Sequence, residues 1–236
     1  MKLKFELSAM QDDTGGSRRS TMGFRVFEIL KQAIVQVQLR PGNLLSEAEV
    51  AKQLGLSRQP VREAFIKLAD VGLVEIRPQR GTFVVFISEE EVRNARFIRE
   101  AIEVAIVKKS AIEATDEDIA ILNGLLIKQH EDEKAGDMPG FLSHDEEFHL
   151  AISKAGGCQK AWGIIENLKA QMDRVRYLSM DTATPLKILI AQHELIVKAI
   201  TERAPERAEA AMRLHLSEIL NSLPKIREAN AELFVD

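Results

Sequence analysis

The sequence predicts a mainly α protein in two parts: three short helices closed by a β-hairpin, then an antiparallel bundle of six or seven helices. Three observations carry this prediction. Apolar residues recur at helical spacing along most of the chain. Two short β-type runs, residues 73–77 and 82–86, flank the turn tetrapeptide Pro78-Gln79-Arg80-Gly81. Beyond Ser88 the strand signals cease, and long amphipathic stretches follow with few breakers.

The elements follow in order. Residues 1–16, rich in Gly, Ser and Asp, read as a disordered tail. They include two lysines but no apolar core, so they do not read as a secretory signal. Phe24, Phe27, Leu30, Ile34 and Val37 give a first helix over about residues 21–37, stopped by Arg40-Pro41-Gly42-Asn43. Ser46 and Glu49 form a capping box for a second helix, with Val50, Ala51 and Leu54 inward and Gly55 at its end. Ser57 caps a third helix over about residues 58–71, with Pro60 in its first turn and Gly72 as its stop. The bundle helices fall at about 89–113, 116–136, 141–155, 159–181, 185–203 and 205–232, and Pro224 is expected to kink or end the last.

Charge divides the chain at the same place. Residues 17–87 carry 11 Lys/Arg against 6 Asp/Glu, and residues 88–236 carry 19 against 27. A basic block beside an acidic one suits a phosphate-binding module, residues 17–87, joined to an acidic helical module, residues 88–236. No apolar run approaches the roughly 18 residues of a membrane span. A single cysteine, Cys158, excludes an intrachain disulfide and a multi-cysteine metal site, so a reduced, cytoplasmic setting with no membrane partner is expected.

Two helices separated by Gly55-Leu56-Ser57, the second opening with Arg58, Gln59 and Arg62, match a helix-turn-helix. With the hairpin as a wing, the first module reads as a winged helix-turn-helix that binds double-stranded DNA. At the start of a recognition helix, guanidinium groups pair bidentately with guanine edges or phosphate, and glutamine can read adenine. Arg58 and Arg62 are four apart and share a face, while Val61, Phe65 and Leu68 form a separate inward stripe. In the wing, Arg80 suits the minor groove or backbone, and Gly81 permits close approach.

The stretch LRPGNLLSEAEVAKQLGLSRQPVREAFIKLADVGLVEIRPQRGTFV closely resembles the N-terminal domain of GntR-family regulators over its whole length. The resemblance implies a homodimeric repressor or activator, with repressor preferred, on a palindromic operator. It carries DNA-contact roles onto Arg58, Gln59, Arg62, Arg80 and Gly81, and Ser57 at the cap joins them. Where many relatives have an arginine, this chain has Ala48.

A second constellation lies in the bundle. Asp145 and His149 are i, i+4 on one helix, so their side chains project together. His193 and His215 are 22 positions apart, roughly level across a turn at Ala204-Pro205. One carboxylate and three imidazoles converging in a bundle suit a divalent metal such as zinc, nickel, manganese or iron. Spacing alone leaves a set of hydrogen-bonded, half-buried histidines equally open. His144, about 100° round the helix from Asp145, and His130, in a charged run, read as surface residues.

The stretches RNARFIREAIE, FLSHDEEFHLAISKAGG and QHELIVKAITERAPERAEAAMRLHL resemble the FCD-type ligand-binding domain of the FadR subfamily. That resemblance implies metal-ligand roles for Asp145, His149, His193 and His215, with zinc preferred, and a small carboxylate effector completing the coordination. Arg99 is the first candidate to hold that effector's carboxylate, ahead of Arg174 and Arg176. The reading is a ligand-responsive transcriptional regulator and not an enzyme. The alternatives are a regulator with a purely structural metal and a metal-dependent hydrolase. Against the latter, no general base or nucleophile constellation accompanies the ligand set.

Overall fold

The computed structural model describes residues 21–180 and 184–235. The expected tail, residues 1–16, lies outside them. The chain divides into two compact units: one runs up to Ser88 and regains the chain from Glu232, and the other is Glu89–Ala231.

In the first unit, α1 (Met22–Val35) starts at Thr21, whose side chain accepts from the Phe24 amide. Its buried face is Val26, Leu30, Ala33 and Ile34. The second helix, α2 (Glu47–Leu54), is capped by Ser46 Oγ on the Glu49 amide and ends at Gly55 in the left-handed region, φ 66°. The third, α3 (Arg58–Asp70), buries Val61, Ala64, Phe65 and Leu68, and both other helices pack on it. That stripe leaves the Arg58 and Arg62 face to solvent.

The wing is larger than the expected hairpin. β1 (Leu44–Leu45), β2 (Val74–Arg77) and β3 (Gly81–Val84) form an antiparallel sheet in the order β1-β3-β2. Leu44 pairs with Phe83, and Arg77 with Gly81. Gly81 sits at φ 112°, and a Cβ there would lie 2.5 Å from Leu44 Cδ1. Glycine is therefore needed at this position for the sheet itself, whatever approaches the wing from outside.

Residues 232–235, expected to belong to the bundle, complete this first unit instead. The Ile87 amide donates to the Leu233 carbonyl at 2.9 Å, and the Val235 amide donates to the Ile87 carbonyl at 3.0 Å. Ile87 and Phe234 thus form a parallel bridge, Leu233 and Phe234 are buried, and Glu232 pairs with Arg40 at 2.8 Å.

The second unit contains α4 (Glu89–Glu113), α5 (Asp116–Ala135), α6 (Met138–Ala155), α7 (Gln159–Leu168), α8 (Ala170–Met180), α9 (Leu186–Thr201) and α10 (Pro205–Ala229). α10 packs on α4 and α9, and α5 packs on α6 and α9. Their shared core includes Val107, Leu122, Phe148, Ile152, Ile196, Ile200 and Met212. Thr115 and Asp118 form a reciprocal capping box at the start of α5.

One break differs from expectation. The stretch at 159–181 is split at Lys169, which is buried and donates to Asp173 Oδ2 at 2.7 Å and to Glu146. A buried ammonium needs those carboxylates, and the helix break is where it reaches them. Of the two outcomes expected at Pro224, ending the helix is excluded, since α10 carries it and runs on to Ala229.

Candidate nucleic-acid interface and metal centre

In the first unit, Ser57, Arg58, Gln59 and Arg62 are exposed on the opening turns of α3. Ser57 occupies the N-cap position but makes no side-chain cap bond, so its hydroxyl is not committed to the helix. Arg62 makes a fork-on-fork pair with Glu47 of α2, Nε to Oε1 at 3.1 Å and Nη2 to Oε2 at 3.0 Å. This pairing with Glu47 raises the Arg62 pKa above its ordinary value. Gln59 Nε2 donates to Glu63 Oε1 at 3.1 Å. Arg80 is exposed at the wing turn, and Ala48 is exposed on α2. The face therefore presents two arginines and one glutamine at a helix N-terminus, where orphan backbone donors also favour phosphate.

In the second unit, α6 supplies Asp145 and His149, α9 His193 and α10 His215. All four are buried, and one ligand atom from each lies within 4.8 Å of the others. His149 Nε2 and His215 Nε2 are 3.2 Å apart, and His193 Nε2 and His215 Nε2 are 3.4 Å apart. Asp145 Oδ1 is 3.6 Å from His193 Nε2 and has no hydrogen-bond partner among the described residues. The other oxygen, Oδ2, takes Arg176. Trp162 stacks on His149 and Phe148 on His193, which fixes the ring planes.

The electrostatics keep the His193 and His215 imidazoles neutral and the Asp145 and Glu103 carboxylates charged. Burial, reinforced by His149, lowers the His193 pKa to about 3, with Asp145 opposing. Burial and the two neighbouring histidines hold His215 well below its ordinary value. Burial works against ionised Asp145, but Arg176 and then His149 outweigh it and hold its carboxyl well below the usual range. Glu103 behaves alike: burial opposes its charge, Arg99 and His149 prevail, and its pKa falls to about 2. Three imidazole nitrogens and a carboxylate oxygen without a partner are a donor set that fits a divalent cation.

Three residues that sequence reasoning missed stand behind the rings. Glu103 Oε2 faces His149 Nδ1 at 2.6 Å, Gln129 Oε1 faces His193 Nδ1 at 2.8 Å, and Gln192 Oε1 faces His215 Nδ1 at 3.2 Å. The available signals were slight: Glu103 falls four residues after Arg99, and Gln192 immediately precedes His193.

Arg99 is buried; its Nε pairs with Glu103, and its Nη2 has no partner among the described residues. It lines a cavity with Arg176 and His215, alongside Ser179, Thr184 and Ser222. Arg176 is bound to Asp145, and this pairing together with Asp173 raises its pKa against the effect of burial. Arg174 is fully buried, which lowers its pKa to about 10. His144 and His130 lie outside the cluster, paired with Asp132 at 2.6 Å and Glu194 at 2.9 Å.

Known proteins match both units. Residues 24–84 match the family of bacterial regulatory proteins described as gntR, and residues 95–218 match the FCD domain. The chain is 43% identical to the HTH-type transcriptional repressor RspR of Escherichia coli, over 89% of this chain and 92% of that protein. It is 30% identical to a probable D-xylose utilization operon transcriptional repressor of Paenarthrobacter nicotinovorans, over 86% of this chain and 88% of that one. Among solved structures, McbR/YncC of E. coli superimposes with a TM-score of 0.75 at 23% identity, covering 89% of this chain and 99% of that one.

Proposed function

Since the chain belongs to the gntR family of bacterial regulatory proteins and carries an FCD domain, and so is a DNA-binding transcriptional regulator, we propose that a divalent metal and a small carboxylate effector control its affinity for DNA. The single observation that carries this reading is the buried Asp145, His149, His193 and His215 cluster, with its unpartnered Asp145 oxygen. Asp145 and His149 are offered together by one turn of α6, and His193 and His215 are brought level by α9 and α10. Zinc suits three nitrogens and one oxygen best, with nickel, manganese or iron as the other fits.

The effector's charge follows from the same groups. Asp145 and Glu103 balance Arg99 and Arg176, so a divalent cation would bring excess positive charge into a buried site. An anionic ligand offsets it, and the open Nη2 of Arg99 beside His215 supports a carboxylate there. In the first unit, Ser57, Arg58, Gln59, Arg62, Arg80 and Gly81 form the DNA-facing set. Acting in the cytoplasm as a homodimeric repressor on a palindromic operator, the protein would release or grip DNA as the effector favours one arrangement of the pair over another. No helix among the described residues is long and apolar enough to cross a membrane.

The test uses the full chain, stripped with a chelator and reloaded with Zn2+. Binding to an operator selected from random duplexes is followed by anisotropy across a panel of small carboxylates, and light scattering gives the oligomeric state. A carboxylate that shifts DNA affinity only in the metal-loaded protein supports the proposal. If Zn2+ raises the melting temperature and no carboxylate moves DNA affinity, the metal is purely structural.

A further inference from the structure

We infer that Gln129, Gln192 and Glu103 are positioning residues that lock the three cluster histidines in the one tautomer able to bind a metal through Nε2. The inference rests on the metal reading above and goes beyond it.

A neutral imidazole has one N–H and one lone pair, and the group facing one nitrogen decides which is which. A glutamine amide facing it could in principle turn either end toward the ring. Here neither glutamine can turn. Gln129 Nε2 donates to the His144 carbonyl at 3.3 Å, so its Oε1 must be the end that faces His193 Nδ1. Gln192 Nε2 donates to Glu218 Oε2 at 3.1 Å, so its Oε1 must face His215 Nδ1. Reversing either amide would set oxygen against oxygen. Glu103, whose other oxygen is held by Arg99, presents a carboxylate oxygen to His149 Nδ1.

The Nδ1 atoms of His193 and His215 therefore carry the proton and donate it, leaving a lone pair on each Nε2, and the Glu103 oxygen 2.6 Å from His149 Nδ1 favours the same tautomer there. The Nε2 contacts of 3.2 and 3.4 Å then have no hydrogen between them. Three lone pairs and a carboxylate oxygen converge with nothing to donate, which is unfavourable until a cation enters. In this way the outer ring of partners prepares the site before the metal arrives. The partners also differ: His149 leans on a carboxylate, His193 and His215 on neutral amides. His149 is thus the most electron-rich of the three donors.

The experiment uses the full-length protein with histidine labelled by nitrogen-15, stripped of metal, and Zn2+ as the probe. The side-chain nitrogen shifts of wild-type protein should report Nδ1–H at His149, His193 and His215. Gln129→Leu should shift the His193 pattern alone and weaken Zn2+ binding about 10- to 100-fold. Gln192→Leu should do the same at His215. Gln129→Glu, which keeps an acceptor facing Nδ1, should restore most of the affinity, as a merely space-filling role would not predict. An Nε2–H tautomer at His193 or His215 in the wild type overturns the inference, as does wild-type Zn2+ affinity in both leucine variants. Should Gln129→Leu fail to fold, the wild-type spectrum and Gln192→Leu decide. Wild-type protein with the inferred tautomers but no affinity for Zn2+, Ni2+ or Mn2+ would sink the metal reading while upholding the tautomers.

Discussion

Replacing Asp145 by asparagine separates two roles that one carboxylate combines. In the folded protein Asp145 Oδ2 neutralises Arg176, while Oδ1 faces the histidines. The substitution keeps the volume and removes the charge. Arg176 is then a buried cation whose next carboxylate, Asp173 Oδ1, is 3.6 Å from Nη1. Breaking a buried pair costs about 3–5 kcal/mol, and Asp173 brings the expectation to the lower end. At about 2–4 °C per kcal/mol for a unit of this size, metal-free Asp145→Asn should melt roughly 6–12 °C below metal-free wild type. Zn2+ at about 100 times its dissociation constant stabilises a single-site protein by about 2.7 kcal/mol, or roughly 5–11 °C here. Asp145→Asn should show no such rise. Scanning calorimetry with and without Zn2+ reads both effects on the transition of the helical unit. A metal-free variant that melts with wild type refutes the Arg176 argument; a variant that Zn2+ still stabilises fully refutes Asp145 as a ligand.

Other expectations concern the DNA-reading unit and pH. Arg62→Ala should weaken binding to a selected operator about 5- to 150-fold, and unchanged anisotropy curves would remove α3 from the groove. Glu47→Gln frees the same guanidinium from its fork, so DNA affinity at low salt should rise by up to about fivefold; a fall would mean that Glu47 orients Arg62 for its contact. Gly81→Ala should destabilise the winged unit by about 1–3 kcal/mol, because φ 112° and the Leu44 methyl both oppose a Cβ; thermal melts followed by circular dichroism check it. Metal-free protein should lose stability steadily as pH falls from about 6.5 toward 3. The unfolded chain takes up protons on His193 and His215 in that window, and the folded chain, with His193 lowered to about 3 and His215 well below its ordinary value, does not. A flat denaturation midpoint across that range would contradict the burial of these rings.

Much of this architecture was legible because local signals agreed with one another. Ser46, Gly55 and Pro60 punctuate the helices of the first unit where the structure ends and starts them. The inward stripe of α3 alone decides which arginines face solvent. Asp145 and His149 share a helical turn, so half of the cluster was visible as a spacing. What was hidden depends on distant partners. β1 is two residues long and exists because Leu44 and Leu45 find Phe83 and Thr82. The break at Lys169 has no glycine or proline to announce it, and the carboxylates that hold its buried ammonium come from two helices. Pro224 reads as a breaker, yet α10 runs through it. Gln129 immediately precedes His130 in a charged run and has no pattern of its own to mark it, yet it is fully buried behind His193.

The parallel bridge between Ile87 and Phe234 has a consequence for how the protein is made. The unit that reads DNA is discontinuous: Arg40 finds its partner Glu232 across 192 residues of chain. At translation rates of about 5–20 residues per second, residues 232–235 leave the ribosome roughly 7–30 s after Ile87. Until then the Ile87 amide and carbonyl lack the strand that satisfies them, and the sites that bury Leu233 and Phe234 stand open. The first module to be synthesised is thus the last to be finished. The helices of the second unit have all been made before the DNA-reading module has its final piece, so a nascent chain cannot offer DNA a completed head ahead of its helical unit.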